Sequence, residues 1–178
     1  SCWGAGLPLA FDNKLKGRQA TLPSVEFVAF GDDDEAYFVQ FTDGQNQWGG
    51  VPIELSNVLK RSTCSVHTLA LAPDDGWFVK FKDGAYEWFG LPISLHNLLN
   101  GRQKSLPGVD DVTIGPAGEW YVLFEDGSWR CNNVTDACND RIDIIQREGG
   151  EVTHIAFGHQ SSWLITYEPG EVKRRRRR

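Results

Sequence analysis

One stretch of this chain occurs three times and begins a fourth. "VEFVAFGDDDEAYFVQFTDGQNQWGGVP" starts at Val25, "VHTLALAPDDGWFVKFKDGAYEWFGLP" at Val66 and "VDDVTIGPAGEWYVLFEDGSWRCNNV" at Val109. "VTHIAFGHQSSWLITYEPGEV", from Val152, opens in the same way and then stops. Starts spaced by 41, 43 and 43 residues are the signature of an architecture that stacks one supersecondary unit, because a unit this small cannot bury its apolar face alone.

The parts recur in order. Val25 to Phe30, Val66 to Leu71, Val109 to Ile114 and Val152 to Phe157 are rich in β-branched and aromatic residues and predict a buried first strand. A second strand opens on Tyr37, Trp77, Trp120 or Trp163 and alternates as "YFVQF", "WFVKF", "WYVLF" and "WLITY". Next come Asp43-Gly44, Asp83-Gly84, Asp126-Gly127 and Pro169-Gly170. Asp-Gly predicts a two-residue hairpin with both central residues at positive φ. A third strand carries Trp48, Trp88 or Trp129, which read as equivalent positions. "VPIELSNVLK" and "LPISLHNLLN" then predict short helices with Pro just inside their start.

The fourth unit lacks its Trp strand and helix, and the N-terminus supplies a matching half. "SCWGAGLPLAFDNKLKGRQATLPSV" runs parallel to "EWFGLPISLHNLLNGRQKSLPGV", and Trp3 falls in the third-strand Trp place. Pairing the two ends would close a ring and leave no unpaired strand edge. The expectation is therefore an all-β chain with short helices: a four-bladed β-propeller closed between N-terminal and C-terminal half-blades. Its units lie near 25–65, 66–108, 109–151 and 152–172 with 1–24, as a single domain over 1–172 followed by a basic tail at 173–178. In blade number and in a helix after each blade the chain resembles the hemopexin-like domains, with Asp110-Asp111 and Trp129-Arg130 as loose echoes of that family's blade motifs. The runs "LHNLLNGRQKSLPGV" and "GEWYVLFEDGSW" are similar to repeats of uncharacterised protist and fungal proteins. Neither resemblance implies an activity.

A chain of 178 residues buries roughly 70% of its unfolded surface in one domain, so neither metal nor disulfide is needed for stability. No apolar run is long enough to cross a bilayer. A soluble protein is expected, in an intracellular rather than a secretory setting. The absence of Met, even at position 1, suggests a processed product or a piece of something longer. Cys2, Cys64, Cys131 and Cys138 have no zinc-site spacing; free thiols are the preferred reading over two disulfides. Asn133-Val134-Thr135 is a glycosylation sequon.

Candidate sites follow from what repeats and what varies. The third-strand indoles Trp3, Trp48, Trp88 and Trp129 could stack on sugars, as in propeller lectins, although packing between blades is the simpler use of a recurring aromatic. First strands would line a channel, and there the side chains differ: Glu26, His67, Asp110 and Thr153, then Phe27, Thr68, Asp111 and His154. Glu26, His67, Asp110, Asp111 and His154 thus form a candidate channel mouth, where a solvated rim competes with a structural cation. The acidic run Asp32 to Glu35 lacks the spacing of a calcium loop and reads as a solvated turn. His96, whose counterparts in the other helices are not His, reads as an incidental surface residue.

The tail, Lys173, Arg174, Arg175, Arg176, Arg177 and Arg178, sits on an acidic body. Net charge is -6 with it, and -12 without it, since twelve basic residues then face 24 acidic ones. Such a body repels phosphate, so nucleic acid would be held by the tail alone. No nucleophile motif, phosphate loop or metalloprotease signature is present, and no enzyme is expected. The leading expectation is a non-catalytic binding or scaffold module that meets a protein or glycan through rim loops and channel mouth. A self-assembling, filament-forming subunit is the alternative, and tail-mediated association with nucleic acid is third. No cofactor is expected beyond a structural ion in the channel.

Overall fold

The structure is a computed structural model that describes residues 23–31, 35–101 and 107–170. It is mostly β, with three helices and four small antiparallel sheets among these residues. Sheet 1 contains β1 (Val25–Phe30), β2 (Tyr37–Phe41) and β3 (Asn46–Gly49). Helix α1 (Ile53–Arg61) follows, then sheet 2 with β4 (Val66–Leu71), β5 (Trp77–Phe81) and β6 (Tyr86–Phe89), and α2 (Ile93–Asn100). Sheet 3 holds β7 (Val109–Ile114), β8 (Trp120–Phe124) and β9 (Trp129–Asn132), followed by α3 (Asp136–Arg147). Sheet 4 has β10 (Glu151–Gly158) and β11 (Ser162–Glu168). The first strands of sheets 1 to 3 have the bounds that the apolar pattern predicts. No closed ring is seen among the described residues.

The chain divides into two compact units, one through His96 and one from Asn97. In the first, β1 runs beside β4, and α1 presents Leu55, Val58 and Leu59 to a core shared with Phe38 of β2, Val66 and Leu69 of β4. In the second, β7 runs beside β10, and Cys138, Ile142 and Ile145 of α3 join Tyr121 of β8, Val152 and Ile155 of β10. Each unit thus repeats one arrangement: sheet, helix, next sheet. Each fully buried Leu, Ile or Phe in these cores contributes about 2 kcal/mol.

The middle strands β2, β5 and β8 are buried at all five positions, because each has a strand on either side and cover on both faces. β11 occupies the same place in its repeat, yet Leu164 is 64% and Tyr167 42% exposed. Among the described residues β11 pairs only with β10.

Two expectations are corrected here. In the Asp-Gly turns only Gly44, Gly84 and Gly127 have positive φ, so these are not two-residue hairpins. Gly44 N–H bonds the Phe41 carbonyl and Phe41 N–H the Gln45 carbonyl, with the same pattern at Phe81 and Phe124. That is a three-residue loop with a left-handed glycine at its end. The aspartate contributes its carboxylate: Asp43, Asp83 and Asp126 accept the N–H of Gln45, Ala85 and Ser128 at 3.1, 3.0 and 2.9 Å. Pro52 lies one place outside α1, at its N-cap. α3 is the helix after the third repeat; Thr135, the last residue of the sequon, caps it by accepting Cys138 N–H at 3.3 Å.

Candidate functional site

All four first strands carry a β-bulge at one place. Pairing skips from Val25 to Phe27, Val66 to Thr68, Val109 to Asp111 and Val152 to His154. The residue passed over is Glu26, His67, Asp110 or Thr153. A bulge sets one residue outside the ladder and re-aims the side chains around it. Glu26, His67 and Thr153 are exposed and Asp110 is half-buried, so the variable positions of the candidate channel mouth are also the unladdered ones.

Glu26 lies at a polar junction of the first unit. Its Oε1 accepts from Lys82 Nζ at 3.0 Å and its Oε2 from Gln40 Nε2 at 3.1 Å, and these two contacts, Lys82 first, hold its carboxyl below the usual range. Gln40, 1% exposed, also grips the backbone of β4: its Nε2 donates to the Val66 carbonyl at 2.9 Å and its Oε1 accepts Val66 N–H at 2.8 Å. In the second unit His154 Nδ1 lies 2.7 Å from Asp111 Oδ2. A carboxylate oxygen can only accept, so Nδ1 carries the proton. This bond raises the His154 pKa against the opposing effect of burial. Asp111 and His154 are thus brought together, whereas Glu26 bonds Lys82 and Gln40. Among the described residues no three His, Cys, Asp or Glu side chains gather as a metal ion would require.

The tryptophans are not all equivalent. Trp48 stands opposite Phe38 and Trp88 opposite Phe78, but Trp129 stands opposite Leu123, two residues earlier in the strand. Cys131 takes the Trp place, opposite Tyr121. Trp129 instead matches Tyr86, which faces Lys80. Two equivalent diagonal stacks result, Tyr86 on Phe78 at 6.2 Å and Trp129 on Tyr121 at 5.9 Å between centroids. Trp3 lies outside the described residues, as do Cys2, Asp32 to Asp34 and the tail from Lys173.

Each third strand is tied to the helix that follows by a bond across eight residues. Trp48 Nε1 donates to Ser56 Oγ at 3.1 Å, Trp88 Nε1 to His96 Nδ1 at 3.3 Å, and Cys131 Sγ to Asn139 Oδ1 at 3.8 Å. His96 is therefore no incidental residue: it accepts the indole and packs edge-on to it at 6.4 Å. Trp48 and Trp129 also pack on their cores. Tyr86, 42% exposed, stacks on Trp88 at 5.6 Å and 12° and is the most accessible ring of this group.

Cys64, Cys131 and Cys138 are free thiols. Cys64 donates to Asp83 Oδ2 at 3.2 Å, which raises its pKa; burial raises that of Cys131 and pushes Cys138 up to about 11. No helix among the described residues is long and apolar enough to cross a membrane. No known protein family, characterised protein or solved structure matches the chain.

Proposed function

We propose that the chain is a non-catalytic binding or scaffold module: a four-bladed propeller, closed between its N-terminal and C-terminal half-repeats, that meets a protein or glycan through its rim loops and channel mouth. The observation carrying this reading is the division of labour within each repeat. Positions that fill the core recur, whereas Glu26, His67, Asp110 and Thr153 vary in chemistry at one bulge. A constant scaffold bearing variable accessible side chains is how loop and rim binding sites are built. Tyr86 adds an aromatic ring of the kind that sugars and apolar side chains stack on.

The test is retention on glycan and peptide arrays by the wild-type protein, by His67→Ala with Asp110→Ala, and by Tyr86→Ala. Binding that falls in these variants at unchanged melting temperature is expected. A folded wild-type protein that retains neither glycan nor peptide sinks the reading.

A self-assembling subunit is the second reading, favoured by the edge of β11, which has no second strand among the described residues. Particle size across a dilution series separates the two: a constant monomer supports the module, and polymers that shorten on dilution support assembly.

A further inference from the structure

We propose that the hollow between β9 and the last turn of α3 binds a carboxylate-bearing sugar residue of a glycan, stacked on Trp129 with its carboxylate on Arg130. This rests on the binding-module reading and gives one of its ligands a place and a chemical class. The hollow has a volume of about 500 Å³ and is lined by Gly127, Ser128, Trp129, Arg130, Cys131 and Gln146. Small ligands occupy sites of about 300 to 1,000 Å³.

Three departures of the third repeat from the first two meet in this hollow. Cys131 stands where Trp48 and Trp88 stand in β3 and β6, so a small thiol takes a place that an indole fills in those repeats. Arg130, opposite Val122, replaces Gln47 opposite Val39 and Glu87 opposite Val79. Glu87 is paired with Arg61, whereas Arg130 donates from Nη1 to the Trp129 carbonyl at 2.7 Å and has no acidic partner among the described residues. The third departure is in the helix. α1, α2 and α3 all begin three residues before the residue tied to the third strand, Ser56, His96 or Asn139, but α1 ends five and α2 four residues past it, at Arg61 and Asn100, and α3 eight past it, at Arg147. Gln146 lies on that additional turn.

These groups suit one ligand. The indole of Trp129, half-buried and fixed against Tyr121 at 5.9 Å, offers a π surface to the C–H face of a pyranose. The remaining donors of the guanidinium form a fork that matches a carboxylate. Gln146 supplies both a donor and an acceptor for sugar hydroxyls, and Ser128 Oγ, which donates to Asp126 Oδ1 at 2.6 Å, can accept from another. Arg130 is the one charged side chain of the lining, which fits the single charge of a sugar acid. A nucleotide would bring more negative charge toward a chain with an excess of acid.

The test is a protein-observed NMR titration of the full chain with methyl β-glucuronoside and with methyl β-glucoside, which lacks the carboxylate. The glucuronoside is expected to bind more tightly and to shift the signals of Trp129, Arg130 and Gln146. Arg130→Gln, a change on an exposed side chain, is expected to weaken glucuronoside binding about tenfold and to leave the glucoside unaffected. Cys131→Trp puts back the indole of the other repeats and is expected to abolish the shifts in a folded protein. The proposal is overturned by any of four results: no shift at these residues in the folded wild type, equal affinity for the two glycosides, binding unchanged in Arg130→Gln or in folded Cys131→Trp, or tighter binding of adenosine monophosphate at the same residues. A protein whose array retention depends on His67, Asp110 and Tyr86 but whose hollow takes no glucuronoside keeps the binding reading and loses this proposal. Glucuronoside bound in the hollow with array retention indifferent to those three residues does the reverse.

Discussion

Gln40 holds Val66 by both of its backbone groups, its amide oxygen taking the N–H at 2.8 Å and its amide nitrogen giving to the carbonyl at 2.9 Å. One side chain thereby acts as a short piece of strand between sheets 1 and 2. Removing one partner of a buried hydrogen bond costs about 1 to 3 kcal/mol for each group left unsatisfied. Gln40→Ala is expected to lower the unfolding free energy by roughly 2 to 4 kcal/mol. Gln40→Glu loses the donor and faces Glu26, so its deficit should be larger at neutral pH than at mildly acidic pH. Urea denaturation at two pH values measures both.

The pair formed by His154 and Asp111 predicts a pH dependence whose sign is fixed. The folded pKa of His154 is raised above its ordinary value by the bond to Asp111. Stability from the pair is therefore fully present below the unfolded histidine pKa of about 6.5 and is lost as pH rises through the raised folded value. The gap in denaturation midpoint between wild type and Asp111→Asn should be widest near pH 5.5 and narrow toward pH 8.5. The side chain of His154 is 43% exposed, so solvent screening keeps the effect modest. A gap that widens with pH would contradict the assignment.

Two glycines at positive φ predict unequal costs. Gly84, at φ +89°, has no atom within 4 Å of where a Cβ would stand. Gly84→Ala therefore carries only the conformational penalty, about 1 kcal/mol. At Gly50 a Cβ would meet the Glu35 backbone at 2.6 Å, and the loop before β2 must move to admit it. Gly50→Ala should lower the melting temperature several times as much as Gly84→Ala.

Thiol reactivity should rank by burial. Cys138 is fully buried, with its pKa pushed up to about 11, and the thiolate is the reactive species. Iodoacetamide at pH 7.5 should leave Cys138 unlabelled in the native protein and label it readily in urea. Labelling of native Cys138 at the rate of an unfolded peptide would mean that the core around α3 opens.

Strand positions were legible because apolar and aromatic residues cluster there. The bulge left a mark that alternation alone conceals: Val66 and Leu69, Val109 and Val112, and Val152 and Ile155 are buried pairs three apart, where a regular strand would give two. Trp129 shares its residue type with Trp48 and Trp88 but not their distance from the turn, and it is that distance that fixes the place in the strand. Trp48 and Trp88 follow their Asp by five residues, and Trp129 by three. Helix α3 has no proline before it and its buried series opens on Cys138, so its start is marked in the sequence by the Thr135 cap. His96 could not be read from the helix alone, since its role depends on an indole eight residues earlier in another element. Whether the half-repeats meet was suggested by sequence parallels but involves residues 1–22, outside the described structure.

The bulge in each first strand has a consequence for how such a chain can change. The extra residue of a bulge is left out of the ladder, so strand register does not run through the backbone of Glu26, His67, Asp110 or Thr153, although the Glu26 side chain also holds Lys82 and Gln40 and Thr153 meets Thr166 across the strand pair at 2.9 Å. A library confined to these sites would vary what the surface selects while most members keep near-parental folding. Specificity in this scaffold would then be written in a small set of addressable slots, and read independently of the frame that holds them.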